Sequence, residues 1–212
     1  MSLRVGILED DTFTRASLTA AVQKQGLEVS ISASSAREFL SMARVTEMDV
    51  ALLDLHLGEG PSGLDVANQL RKENKDMGIV ILTSFEDPRL LSSGAGHIPS
   101  GTRYLVKRQV EDFSVLEKEI RLAFEQPKSP LSGYVSPLEK LSDGQVETLR
   151  LIAEGYSNSE IAKMRFVSEK TVESTITKIV RELGLQTISG RNPRMQMARA
   201  YFRARGVSVS ES

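Results

Sequence analysis

A chain of 212 residues with 40% hydrophobic side chains is long enough for one or two domains with real cores. It contains no cysteine and only two histidines, His56 and His97, which excludes disulfides, thiolate metal sites and cysteine nucleophiles and argues against a histidine-based zinc site. The net charge of -1 conceals an asymmetry: residues 1–140 carry 16 basic and 20 acidic side chains, residues 141–212 carry 11 and 8, a modestly basic balance compatible with nucleic acid. No apolar run is long enough to span a bilayer, and the N-terminus passes from Leu3-Arg4-Val5-Gly6-Ile7-Leu8 to the acidic Glu9-Asp10-Asp11, unlike a signal or transit peptide. The expectation is a cytoplasmic protein with no membrane partner.

Residues 1–125 alternate strand and helix patterns. Leu3 to Leu8 is a buried-strand run, and Thr14 to Gln25 places Leu18, Ala21 and Val22 at helical spacing before Gly26. Leu27 to Ala33 alternates as a strand, and Ser35 to Arg44 puts Ala36, Phe39, Leu40 and Ala43 on one helical face. Val50 to Leu53 is the third strand, Leu64 to Lys72 the third helix, Ile79 to Leu82 the fourth strand and Tyr104 to Val106 the fifth, before a helix from Asp112 to Glu125. Five strands each followed by helical sequence predict a five-stranded parallel sheet covered on both faces.

The polar residues at the ends of those strands carry the chemistry. Glu9 and Asp10 follow the first strand, Asp54 the third, Thr83 and Ser84 the fourth, and Lys107 the fifth. In a parallel sheet these groups converge on the carboxyl edge, where ligands bind. Converging carboxylates repel one another and favour a hard divalent cation such as Mg2+. The set reads as phosphoryl transfer to a carboxylate, with Asp54 as nucleophile, Lys107 neutralising charge and the Thr83 hydroxyl bonding a phosphoryl oxygen. For Asp54 alone, capping of the next helix is the competing reading. Asp11 is a lesser candidate.

With Glu9, Asp10, Asp54, Thr83, Tyr104 and Lys107 in order, residues 3–125 resemble the receiver domain of two-component response regulators, a flavodoxin-like α/β fold. The resemblance implies a sensor histidine kinase as phosphodonor, Thr83 and Tyr104 as switch residues, and the backbone carbonyl of His56 beside Glu9, Asp10 and Asp54 around Mg2+. Two departures stand out. The loop after Asp54 has glycine where the family usually has proline, and reads as one residue longer. The stretch from Glu86 to Gly101, where the family's fourth helix belongs, contains Pro88, Gly94, Gly96, Pro99 and Gly101. Glycine costs about 1 kcal/mol and proline about 3 kcal/mol in a helix interior, so at most a short helix is expected, starting near Asp87 with Pro88 in its first turn. His97 is expected to be an exposed loop residue.

Residues 126–140, with Pro127, Pro130 and Pro137, read as a linker in which Leu131, Tyr134 and Val135 offer apolar surface. Residues 141–206 read as four short helices. Ser142 with Gln145 signals a capping box before a helix from Val146 to Glu154, and Ser157 with Glu160 starts a second helix through about Arg165. Ser168 starts a third from Glu169 to Leu183, and Asn192 with Pro193 a last one to Arg205. The middle pair is a helix-turn-helix. The third helix turns Val172, Ile176, Ile179 and Val180 inward and Lys170, Thr171, Glu173, Ser174, Thr175, Thr177, Lys178 and Arg181 mostly outward, a polar face suited to a major groove.

The wording around Ala153-Glu154-Gly155, Ser157-Asn158-Ser159-Glu160-Ile161-Ala162 and Ser168-Glu169-Lys170-Thr171-Val172-Glu173 resembles the LuxR-type (NarL/FixJ-like) DNA-binding domain, an all-α four-helix fold. Glu173, Thr175 and Thr177 depart from the basic or histidine residues common in relatives. Glu173 suits a cytosine amino group, whereas Lys170, Lys178 and Arg181 suit phosphates. Relatives dimerise through the fourth helix, so the Met197, Ala198, Tyr201 and Phe202 face is read as core or dimer contact, and Arg191, Arg194, Arg203 and Arg205 as further phosphate holders. Residues 207–212 are read as a disordered tail. The chain is thus expected to be a response regulator rather than an enzyme, phosphorylated on Asp54 and binding promoter DNA as a homodimer. The competing expectation is a phosphorylation-independent regulator whose receiver serves as a dimerisation or ligand module.

Overall fold

The computed structural model describes residues 2–58, 60–90, 98–110, 112–129, 136–185 and 192–207. By internal contacts the chain divides into one unit of Met1–Ser84 with Ala95–Tyr134 and a second of Phe85–Gly94 with Val135–Ser212. No helix among the described residues is long and apolar enough to cross a membrane.

The first unit is a parallel sheet of β1 (Arg4–Leu8), β2 (Glu28–Ala33), β3 (Val50–Leu53), β4 (Gly78–Thr83) and β5 (Thr102–Val106), in the order β2-β1-β3-β4-β5. β3 and β4 are buried along their whole length, as their unbroken apolar sequences require. Helices α1 (Thr12–Lys24) and α4 (Phe113–Glu125) cover one face, burying Leu18, Val22, Leu116, Ile120 and Ala123. On the other face α2 (Ala36–Ala43) and α3 (Gly63–Glu73) bury Phe39, Val66, Ala67 and Leu70. The alternation of faces follows from right-handed crossovers between parallel strands. Asp11, Ser35, Ser62 and Asp112 cap these helices through their side chains, and Ser62 with Asp65 forms a capping box.

The second unit contains α5 (Asp143–Ala153), α6 (Asn158–Met164), α7 (Glu169–Glu182) and α8 (Pro193–Ala204). The capping box expected at Ser142 is present, Ser157 with Glu160 forms a second one at the expected start of α6, and α5 starts at Asp143 rather than Val146 because the capped turn is itself helical. Val146, Leu149, Ile161, Val172, Ile179, Met197 and Tyr201 form a common core. The apolar side of α8 is therefore core: Met197 and Tyr201 are buried, and Phe202 packs against the same cluster.

The glycine- and proline-rich stretch forms only a 3-10 turn, Pro88–Leu90, within the described residues, in keeping with the propensity argument. Phe85–Leu90 belongs to the helical unit, whereas residues 98–101 belong to the sheet unit. His97, Leu131, Tyr134, Val135 and Arg191, and the tail beyond Val207, lie outside the described residues.

Candidate functional site

Sheet register aligns the strand ends. Leu8 pairs with Leu53, Leu53 with Ile81 and Ile81 with Tyr104, so these four lie in one row across the sheet. Glu9 and Asp54 stand one residue beyond that row, Thr83 two beyond and Lys107 three beyond. The ladder continues past the strands: Glu9 N–H donates to the Ala33 carbonyl at 3.2 Å and Asp54 N–H to the Leu8 carbonyl at 2.8 Å, so neither acid hangs on a loose loop.

Lys107 joins the acids. Its Nζ donates to Glu9 Oε2 at 2.7 Å and to Asp54 Oδ2 at 2.9 Å. Glu9 and Asp54 are buried, whereas Asp10 is exposed, and one carboxylate oxygen from each of the three lies within 4.8 Å of the others. Burial raises the Glu9 carboxyl above its usual range, Asp54 adding to that and Lys107 opposing it. Burial pushes Lys107 down, but Asp54 and Glu9 together outweigh it and hold the ammonium above its usual value. Three carboxylates around a single ammonium leave negative charge uncompensated. Such a set fits a hard divalent cation.

The surrounding backbone is shaped for this arrangement. A Cβ on Gly63 would lie 1.9 Å from the Asp54 carbonyl oxygen, so only glycine lets α3 begin so close to the acid. Gly58 has φ +65°, a conformation closed to proline, and the loop after Asp54 accordingly differs from the proline-bearing form common among receivers. His56 N–H donates to Asp54 Oδ1 at 3.3 Å. Ser62, not Asp54, caps α3, which removes the capping reading of Asp54. Asp11 by contrast accepts from Thr14 N–H at 2.7 Å and caps α1; hydrogen bonds from Thr14 lower its pKa. Thr83 and Tyr104 are buried at the same sheet edge. Arg15 escaped sequence reasoning: its Nη1 donates to the Glu9 carbonyl at 2.7 Å and holds the acidic loop from α1. One helical turn separates Arg15 from Asp11, which is no signature in itself.

On α7, Lys170, Thr171, Glu173, Ser174, Thr177, Lys178 and Arg181 are exposed and Thr175 is half-buried, whereas Val172 and Ile179 are buried. The Thr175 and Thr177 hydroxyls donate to the carbonyls one turn back, Thr171 and Glu173, at 2.8 and 3.0 Å. Arg181 pairs with Glu182 at 2.9 Å on the surface, a contact weak enough to exchange for another anion. The turn before α7 holds Phe166 at φ +54° with 95% of its surface exposed, an apolar ring that no sequence pattern marks. Two arginines read as phosphate holders have partners inside the unit. Arg194 donates to Asn158 Oδ1 at 2.6 Å and to the Tyr156 carbonyl, and Arg205 lies 5.4 Å over the Phe85 ring. These contacts give Arg194 and Arg205 structural roles.

A parallel α/β unit with acids and a lysine at its carboxyl edge, followed by a helix-turn-helix bundle, defines a receiver joined to a DNA-binding domain. A family model described as the response regulator receiver domain matches residues 5–120, and one described as bacterial regulatory proteins of the luxR family matches residues 139–189. A nitrate/nitrite response regulator protein homolog of Haemophilus influenzae is 32% identical over 197 residues, covering 87% of this chain and 92% of that protein. The oxygen regulatory protein NreC of Staphylococcus aureus is 29% identical over 201 residues, covering 87% and 93%. The solved structure of two RcsB dimers bound to two parallel DNAs has the same fold, with a TM-score of 0.62 at 19% identity over 94% of this chain and 99% of that one. The chain belongs to the response regulator family and is a DNA-binding two-component response regulator with a LuxR-type output domain.

Proposed function

We propose that Asp54 accepts a phosphoryl group from the phosphohistidine of a sensor histidine kinase, and that the chain then binds promoter DNA as a homodimer in the cytoplasm. The observation that carries this reading is the Lys107 ammonium, shared between Glu9 and Asp54 at 2.7 and 2.9 Å beside a third carboxylate. An Asp54 oxygen attacks phosphorus, the P–N bond breaks, and the imidazole leaves with its electron pair and takes up a proton. Lys107 neutralises charge on the transferring group, and the Thr83 hydroxyl bonds a phosphoryl oxygen of the product. Glu9, Asp10, Asp54 and the His56 carbonyl would hold Mg2+, which when bound supplies positive charge to the phosphoryl oxygens. Tyr104, buried in the row containing Leu53 and Ile81, follows the position of Thr83 as the second switch residue.

Residues 1–84 and 98–125 serve as the receiver and 141–206, with Phe85–Leu90 and Leu138 in its core, as the DNA-binding domain; the rest of 126–140 lies between them in the chain. The exposed face of α7 enters the major groove, where Lys170, Lys178 and Arg181 hold phosphates and Thr171, Glu173, Ser174, Thr175 and Thr177 face base edges or the backbone. Incubation with acetyl phosphate and Mg2+, read by intact mass with Asp54→Asn in parallel, tests the acceptor. A phosphoryl adduct on the wild type alone is expected; an equal adduct on the variant would overturn the assignment.

A further inference from the structure

The described segment that follows the proposed switch hydroxyl is built into the helical unit by two kinds of bond. Phe85 and Leu90 are buried in the same apolar cluster as Leu138, Leu141, Val146 and Leu149. Between them Asp87, only 1% exposed, receives Arg89 Nε at 2.9 Å and Nη2 at 2.7 Å, as well as the Ser136 hydroxyl. The same guanidinium donates to the Leu138 carbonyl at 2.7 Å and the Leu141 carbonyl at 2.6 Å, in the chain leading into the cap of α5. On the other side, Glu86 N–H donates to the carbonyl of Ala204, the last residue of α8, at 2.7 Å, and Arg205 covers the Phe85 ring. The segment thus clips the start of α5 to the end of α8. Arg89 suits this work because its planar fork satisfies one carboxylate and two carbonyls at once, which a lysine cannot.

We infer that Phe85–Leu90 is an integral part of the DNA-binding unit and the element through which that unit reads the state of Asp54. The coupling rests on the phosphorylation proposed above. Thr83 lies two residues before Phe85, so a phosphoryl group that draws the Thr83 hydroxyl pulls on a chain whose next residues are fixed among α5 and α8. Release of the Asp87 and Arg89 clip would then loosen the entry to α5 and the end of α8.

The test is hydrogen exchange by mass spectrometry on the full chain. Arg89→Ala is expected to speed exchange in the peptides covering Leu138–Gly144 and the end of α8 by about tenfold, leaving β1 and β3 unchanged, and Arg89→Lys to restore only part of the protection. If Arg89→Ala fails to fold, Phe85→Leu, which keeps an apolar side chain but removes the ring beneath Arg205, is expected to give a smaller change at the end of α8 alone. Wild-type protein carrying the phosphoryl adduct should show the Arg89→Ala pattern. Unchanged exchange in the variants would overturn the clip, and an adduct with unchanged exchange would overturn the coupling while leaving Asp54 as acceptor. Failure to form any adduct would refute the acceptor and the coupling together, and the variants would still decide the clip.

Discussion

Among the described residues two clusters join a buried carboxylate to a cation, and they differ in balance. At the sheet edge one ammonium, Lys107, serves Glu9 and Asp54, with Asp10 adding a third negative charge. In the helical unit Arg89 meets one buried carboxylate, Asp87, with a two-pronged bond, reaches the exposed Asp143 at 3.4 Å, and donates as well to the Leu138 and Leu141 carbonyls. The first cluster has more carboxylates than cations, which suits the metal ion and phosphoryl group proposed for it, whereas in the second the cation is spent on carboxylates and backbone carbonyls and holds the chain together. Burial alone does not separate reactive charges from structural ones; stoichiometry of charge does.

Removing the shared cation should have the largest effect. Lys107→Ala is expected to slow phosphoryl transfer from acetyl phosphate by about a hundredfold, the scale of a lost charge-stabilising group, while tightening Mg2+ binding because three carboxylates lose their internal counterion. Transfer rates and metal titration on the same samples check this, and a parallel fall in both would make Lys107 a purely structural residue. On the DNA side, Lys178→Ala with Arg181→Ala should reduce affinity and flatten the slope of log K against log salt by roughly 1.8, for two phosphates no longer neutralised; an unchanged slope would remove both residues from the phosphate contacts.

Smaller effects sharpen the distinction between structural and binding charges. Arg194→Ala should destabilise the helical unit by about 1–3 kcal/mol through the loss of its bonds to Asn158 and the Tyr156 carbonyl, with the salt slope unaltered; thermal unfolding and DNA titration separate the two. The smallest effect concerns Asp49, whose pKa is lowered chiefly by the hydrogen bond from Arg4 at the start of the sheet. A depressed carboxyl pKa stabilises the fold above the unfolded value near 3.9 and ceases to do so as pH falls through the folded value. Asp49→Asn should therefore lower Tm by roughly a degree or two at pH 7 and by less at pH 3. An undiminished deficit at pH 3 would deny the ion pair its part.

Much of this was legible in the sequence because it is local. Val50 to Leu53 could only be a buried strand, and an acid at its end, together with acids after the first strand and a lysine after the fifth, locates the site once the strands are parallel. Ser142, Ser157, Ser168 and Asn192 marked the helix starts for the same reason, since a cap and its partner lie within one turn. What the sequence withheld depends on partners far along the chain. Glycine and proline argue against a long helix from Glu86 to Gly101, and its described part holds only the turn Pro88–Leu90, but nothing local says that Arg89 meets carbonyls 49 and 52 residues on, or that Arg194 reaches back 36 residues to Asn158. Asp11 misled in the opposite sense: it sits among the acids yet caps α1.

Whether Asp54 rather than a neighbouring acid takes the phosphoryl group can be read directly. Borohydride reduction of the phosphorylated chain converts an aspartyl phosphate to homoserine, and peptide mapping then locates it. Homoserine at position 54, absent from Asp54→Asn, is the expected result; homoserine at position 10 or 11, or an adduct that resists borohydride, would rule out Asp54 as the acceptor.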